Sequence, residues 1–582
     1  MFDVPDQILK RLYIRGSLHN APEGCQFALV NALGSGSLVR FDLLKVDGAA
    51  YPAGSLVVLG AGGATRGAST ITREDPLCLS EGRPIHLRLA GVRLADGEHT
   101  LRLGFETAEL GRLEITFSDV LQAHATAPAA SEASRVEAAP SLRPLKIAIL
   151  GAGSTVFARQ LMTDFLTTPG MEAGTFALVD IDARRLELAH AMGEKLISLR
   201  SKESDCRWTV EASGDRLQAL TGCDYVINTI EVAGLRNVRS DYDIPLRYGV
   251  DQCIGDTIGP GGIFKMLRTG PAWLAILRDA ERLCPNAVVM NYTNPMSALT
   301  LLALRATRLR AIGLCHSVQG TSQQLAHYLD VPYGELRWRC AGINHLAWFT
   351  ELSRRGEDLY PRLRQLAQVP EIYDADPVRF EVMLHFGAFV TESSGHFSEY
   401  VPYFRKRPEL LARYTRPGYR GESGFYANNW PRWRAASDEA IQAALDGETE
   451  VVLRRGHEWA SYIVEAIETG RPAIVQGNVL NTGLIENLLP GGCVEVPVLV
   501  DAAGLHPTHF GPLPPQLAAL DAAHMYVHEL MVEAVLERSR RAALHALMLD
   551  PLTAAVCSPA EIEAMFDAMW EAEKKDLTYF QS

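Results

Sequence analysis

Residues 145–156 read Leu-Lys-Ile-Ala-Ile-Leu-Gly-Ala-Gly-Ser-Thr-Val, and the fold is decided here. The first six form an apolar run with the texture of a strand buried on both faces. Gly151-Ala152-Gly153-Ser154 follows, and over 156–166 the apolar spacing becomes helical. A strand that turns through glycines into a helix lets backbone N–H groups approach a pyrophosphate at the positive end of that helix. The third glycine of the full Gly-x-Gly-x-x-Gly pattern is missing, and Val156 stands there. The reading gains weight from a second strand, 175–179, that ends on Asp180. A carboxylate at that point hydrogen-bonds an adenosine ribose and, by repelling a 2′-phosphate, favours NAD over NADP. Gly151, Gly153, Ser154 and Asp180 are therefore the candidate NAD-binding residues; the bland alternative is a tight turn and a surface aspartate.

Working outward, a helical stretch at 183–199 and strands at 225–229, 287–291 and 311–314 continue the alternation. This predicts an α/β fold with a doubly wound, Rossmann-like parallel sheet over 145–345. A mixed α+β region follows over 346–576, with helices expected at 441–453, 458–468, 515–537 and 559–575. Upstream, short apolar runs separated by Gly, Pro and Asp make 1–120 a small all-β sandwich or barrel. The Ala-, Ser- and Pro-rich stretch 121–144 reads as a linker. Residues 577–582 look like the remnant of an engineered protease site.

Composition limits the function. The 582 residues carry a net charge of −13, which excludes a nucleic-acid partner that needs many phosphates neutralised. No apolar run is long enough to span a bilayer, since 296–304 is cut by Arg305. The first residues, MFDVPDQILKRLY, lack the regions of a signal peptide. Ten cysteines without a Cys-x-x-Cys pair argue against a disulfide scaffold or structural zinc. A reduced, cytoplasmic enzyme is expected.

Polar motifs then cluster where strands end, which is where open α/β sheets bind ligands. Cys315-His316-Ser317-Val318 follows the strand 311–314, and Asn344-His345-Leu346 lies further on. A thiolate and an imidazole from two strand ends can hold a divalent metal with positions open for substrate oxygens. An isolated pair of this kind is also compatible with a buried thiol and a satisfied core histidine. Asn291-Tyr-Thr-Asn-Pro295 offers amides to sugar hydroxyls, and Asp256-Thr-Ile-Gly-Pro-Gly-Gly262 offers close backbone; both are also ordinary turn compositions. Gly395-His-Phe-Ser-Glu-Tyr400 contains a tyrosine able to act as a base beside a cation.

Together these motifs resemble glycoside hydrolase family 4, most closely its α-galactosidases. The resemblance rests on KIAILGAGST, LVDID, DTIGPGGI, NYTNPM, GLCHSVQGT, RCAGINHLA, FVTESSGHFSEY, GNVLNTGLIENLLPGGCVEVPVLVD and MLDP at 548–551. It runs from about Lys146 to Asp550 and leaves the first 120 residues outside. It implies a redox-neutral glycosidase: NAD oxidises C3, a base takes the C2 proton, the aglycone leaves by elimination, water adds, and hydride returns. This differs from the paired-carboxylate scheme of most glycosidases. It assigns Cys315 and His345 to a divalent metal, usually Mn²⁺, and Tyr400 to the C2 base, with Tyr403 close by. Asn294 and Asp256 would contact sugar or nicotinamide.

Family members acting on 6-phosphorylated sugars carry Asp after the metal cysteine. His316 stands there instead, which argues against a phosphorylated substrate and leaves open whether His316 donates the leaving-group proton or only positions hydroxyls. Because thiolates oxidise, a reductant is expected to be needed for Cys315. The partner is a small glycoside, and a homodimer or homotetramer is expected from the family. The same mechanism on an α-linked uronic acid, or a malate-like dehydrogenase, are the competing readings.

Overall fold

The computed structural model describes residues 13, 17–21, 23–30, 36–59, 65–73, 75–79, 84–95, 97–107, 111–121, 142–202 and 204–581. Most of the stretch read as a linker, 122–141, lies outside them, as does Ser582. Among the described residues, the N-terminal unit is a sandwich of two five-stranded sheets. One contains Gly24–Val30, Pro84–Ala90 and Leu56–Leu59; the other contains Gly111–Leu121, Gly97–Thr107 and Gly36–Val46. Alternate residues point inward, so Phe27, Leu87 and Leu89 of one sheet meet Phe41, Leu101 and Leu103 of the other in one core.

The rest is organised by a single 13-stranded sheet. Six parallel strands come first, in the order Arg207–Ser213, Ala173–Val179, Leu145–Leu150, Tyr225–Asn228, Val288–Asn291, Arg310–Gly313. Leu145–Leu150 shows why the run is apolar throughout: Ile147 and Ile149 enter the core on one face, Ala148 and Leu150 the core on the other. Helices cover both faces.

The sheet then continues antiparallel, a continuation with no counterpart in the sequence reading. Ala473–Leu480 pairs with Arg310–Gly313, followed by Cys493–Asp501, Arg337–Ile343 and Leu346–Arg354. Positions 345 and 346, taken as a boundary in the sequence, meet where the hairpin turn between the last two strands enters Leu346–Arg354. The helix expected at 441–453 spans Phe425–Asp446 and ends at Gly447, whose φ of +83° is the left-handed cap that glycine allows. Pro431 inside it disguises its first half. Among the described residues, no helix is long and apolar enough to cross a membrane.

Asp550 of the MLDP motif is the N-cap of Pro551–Val556, accepting from Thr553 N at 2.9 Å and Thr553 Oγ1 at 2.6 Å. Burial pushes its carboxyl up from 3.8 to about 6. A folded-state value above the unfolded one means that this group's contribution is complete below about pH 4 and is lost as pH rises through 6. Asp550→Asn keeps the capping acceptor without the charge. Its melting temperature relative to the wild type is expected to climb between pH 4 and pH 7, with at most about 3 kcal/mol at stake. A difference independent of pH would contradict the assignment.

Candidate active site

The strand order reverses between Leu145–Leu150 and Tyr225–Asn228, and a cavity of about 1010 Å³ opens at the carboxyl ends of these strands. Gly151, Gly153, Ser154, Asp180, Asp256, Asn294, Cys315, His316 and His345 all line it. Gly151 has φ +83°, and a Cβ there would sit 2.5 Å from the Thr229 carbonyl oxygen. At Gly153 a Cβ would lie 2.5 Å from Asp180 Oδ2. That oxygen accepts from Gly153 N at 2.7 Å, while Asp180 Oδ1 accepts from Asp182 N at 2.8 Å. Asp180 thus staples the turn as well as facing the cavity. Ser154 opens the helix Thr155–Leu166 without capping it through its side chain, and the buried Thr155 hydroxyl has no partner. Val156, in the place of the third glycine, is 41% exposed, so no close packing excludes it.

Cys315 follows Arg310–Gly313 and His345 sits in the hairpin turn, 30 residues later in the chain. Cys315 Sγ lies 3.3 Å from His345 Nε2 and 3.4 Å from Ser317 Oγ. Burial opposes the Cys315 thiolate, but the adjacent imidazole and the Ser317 hydroxyl outweigh it and lower the thiol. Burial likewise opposes a charged His345, and Glu392 and Cys315 raise it nonetheless. His345 has φ +63°, a left-handed conformation uncommon for a residue with a side chain. Strain of that kind, held at a buried polar position, marks a site shaped for something other than packing.

Asn294 Nδ2 donates to Asp256 Oδ2 at 3.0 Å, so the two residues expected to meet substrate form one unit. Burial works against the Asp256 carboxylate, yet Lys265 and His396 hold its carboxyl below the usual range. Lys265 Nζ is 2.8 Å from Glu231 and 3.5 Å from Asp256. Glu399, within the same motif as Tyr400, fixes this loop by accepting from three consecutive amides: Cys253 at 2.5 Å, Ile254 at 2.6 Å and Gly255 at 3.0 Å.

Tyr400 does not line the cavity; it is buried behind His345, its hydroxyl 3.3 Å from His345 Nδ1. Burial, then Glu392, Asp256 and Glu399, push its hydroxyl well above the ordinary value. Tyr403 is 38% exposed and packs on Phe386. His316 Nε2 meets Glu458 Oε1 at 2.5 Å, and that hydrogen bond raises its pKa. Glu458 and Glu392 escaped the sequence reading. For Glu458, 142 residues from its partner, no local signal exists. For Glu392 there was one: Glu392 and His396 stand four apart in TESSGH, a spacing that puts two potential metal ligands together.

The residues suit the groups that the sequence implies. The glycine cradle, the uncapped helix start and the unpartnered Thr155 hydroxyl fit a pyrophosphate. The thiol–imidazole pair, with the buried His396 ring 5.0 Å from that of His345 and its Nε2 making no hydrogen bond, fits a divalent ion.

A model described as family 4 glycosyl hydrolase matches residues 146–331, and one described as the family 4 glycosyl hydrolase C-terminal domain matches 340–553. A model described as the hydroxymethylglutaryl-CoA reductase N-terminal domain matches 8–122. An alpha-galactosidase from Bacillus subtilis is 40% identical over 433 residues, covering 73% of this chain and 98% of that protein. An alpha-galacturonidase from Lachnoclostridium phytofermentans is 28% identical over 458 residues, covering 74% and 96%. A crystal structure of a 6-phospho-alpha-glucosidase from gut microorganisms, in complex with NAD and Mn²⁺, superposes with a TM-score of 0.62 at 21% identity, covering 75% and 99%.

Proposed function

The chain belongs to family 4 of the glycosyl hydrolases, and from that premise we propose that it cleaves α-galactosides with NAD and a divalent metal, Mn²⁺ by preference. The observation that carries the reading is the convergence of the glycine turn and the Cys315–His345 pair on one cavity. Galactose is supported over a uronic acid by charge. The buried lysine and arginines lining the cavity are already paired, Lys265 with Glu231 at 2.8 Å, Arg185 with Asp438 at 2.8 Å and Arg379 with Asp376 at 2.5 Å. A sugar carboxylate would have to compete with these carboxylates; a neutral hydroxymethyl group would not.

When bound, NAD supplies a reversible hydride acceptor and the metal a Lewis acid for sugar oxygens. The chain's own residues do the rest. Gly151, Gly153, Ser154 and Asp180 hold the dinucleotide, and Cys315 and His345 hold the ion. Asn294 and Asp256, locked together, orient hydroxyls. His316, steadied by Glu458, faces the cavity mouth and delivers a proton to the leaving group. Tyr400 is the group assigned to the C2 proton; because its hydroxyl lies behind His345 and outside the cavity, that role requires its ring to advance to the substrate, and its burial among carboxylates makes the role depend on positive charge at the His345 side. The enzyme works in the cytoplasm as a homo-oligomer.

The test is p-nitrophenol release from p-nitrophenyl α-galactoside with NAD, Mn²⁺ and a thiol reductant omitted in turn. Each omission is expected to lower the rate, without NADH accumulating at 340 nm. Cleavage of the α-galacturonide instead would keep the mechanism and overturn the sugar. NADH formed in proportion to product would indicate a dehydrogenase, and hydrolysis indifferent to NAD would end the reading.

A further inference from the structure

We infer that Glu392 is a third protein ligand of the divalent ion, an assignment that rests on the Cys315–His345 reading above. Its Oε2 lies 3.4 Å from His345 Nε2, the same nitrogen that stands 3.3 Å from Cys315 Sγ. Donors bound at about 2.0–2.3 Å from a common metal are themselves about 3–3.5 Å apart when they occupy neighbouring vertices. Both separations have that value.

The rest of Glu392 is arranged to leave Oε2 available. Oε1 accepts from Ser393 N at 2.7 Å and from the Tyr419 hydroxyl at 3.1 Å. Oε2 faces His345 and, at 4.0 Å, His396 Nδ1. The ligand atoms of His345, Glu392 and His396 all lie within 4.8 Å of one another, and all three residues are buried; Cys315 stands outside this group and meets it through His345 Nε2. The chemistry agrees: a thiolate and an imidazole alone form a soft to borderline set, whereas a carboxylate is the donor that suits Mn²⁺ or Mg²⁺.

A plain ion pair between Glu392 and a protonated His345 would produce the same distance, but the two roles respond oppositely to mutation. A counter-ion that keeps His345 protonated competes with the metal for Nε2, so its removal leaves Mn²⁺ affinity unchanged or improved. A ligand's removal weakens it.

Mn²⁺ titrations of the full-length protein, with free Mn²⁺ read by electron paramagnetic resonance, separate them. Glu392→Gln is expected to weaken Mn²⁺ binding at least about tenfold, with NAD affinity held within about twofold. Mn²⁺ affinity within about twofold of the wild type would overturn the inference. Cys315→Ser runs alongside: if it alone loses Mn²⁺, only Glu392 fails, and if it alone keeps Mn²⁺, the Cys315 ligand of the proposed function fails while Glu392 stands. Should Glu392→Gln fold poorly, the Co²⁺-loaded Glu392→Asp protein replaces it. Its visible d–d bands are expected to shift while the thiolate-to-cobalt band stays, and unshifted d–d bands would overturn the inference.

Discussion

Serine in place of Cys315 is expected to lower turnover of an α-galactoside at saturating NAD by at least about a thousandfold, about 4 kcal/mol of barrier. The substitution changes one atom. A serine hydroxyl is close in size to the thiol, can still hydrogen-bond His345 Nε2 and Ser317 Oγ, and leaves the strand Arg310–Gly313 and its packing untouched. What disappears is the anionic sulfur, because a hydroxyl does not ionise where this thiol does, lowered by His345 and Ser317 against its burial. The melting temperature and NAD affinity are therefore expected to match the wild type while the metal requirement changes. Recovery at high Mn²⁺ would locate the deficit in affinity; no recovery would locate it in rate. Cys253→Ser is the control. Burial pushes that thiol up, and its amide is held by Glu399 in the loop that leads to Asp256, so the change tests generic perturbation near the site. Cys315→Ser retaining more than a tenth of wild-type turnover would remove the thiolate from the mechanism.

The parts of this site that were legible in the sequence are those whose partners are set by local geometry. Leu145 to Leu166 declares a strand, a turn and a helix in one unbroken stretch, and glycine at 151 and 153 needs no tertiary information to suggest close backbone approach. Cys315 was legible because it follows the end of a parallel strand, where such a sheet gathers its ligands, and His345 because it stands in a polar turn directly after a strand, although that strand, Arg337–Ile343, is antiparallel. The antiparallel half of the sheet was not. In Cys493–Asp501 the alternation is that of a strand, but Pro497 argues against a central position; the structure nevertheless sets it opposite Gln476. Residues that act through another side chain stayed hidden as well. Glu458 reaches His316 across the fold, and although Tyr400 itself is legible in its motif, the placement of its hydroxyl on the far nitrogen of His345 is not. Which face of a histidine a neighbour meets is a tertiary fact, and no spacing rule encodes it.

Gly151→Ala is expected to cut NAD affinity at least about a hundredfold, about 3 kcal/mol, and to do so for a reason that a neighbouring glycine can isolate. At φ +83° an alanine carries a left-handed cost of about 1–2 kcal/mol wherever it occurs. At this position its Cβ also meets backbone: Thr229 O at 2.5 Å, Thr229 C at 2.6 Å and Ile230 N at 2.7 Å. Those atoms cannot swing aside. Thr229 N is bonded to Leu150 O at 2.8 Å, and Gly151 N and Ala152 N are both held by Val179 O, at 2.8 and 3.0 Å. Relief requires the strand ends at the switch point to move apart, and the amides that would meet a pyrophosphate move with them. Gly153→Ala should act less severely, because its Cβ meets the Asp180 carboxylate, a side chain that can rotate at the loss of its bond to Gly153 N. Gly222, with φ +69° and nothing within 4 Å of its Cβ, carries the backbone cost alone. Gly222→Ala should lower stability by about 1 kcal/mol and leave NAD binding unchanged. Nucleotide titrations that rank 151 above 153 above 222 would tie the turn to the dinucleotide. Equal losses at 151 and 222 would mean that backbone stiffness, not the cradle, governs binding, and wild-type affinity in Gly151→Ala would mean that the dinucleotide does not use this turn.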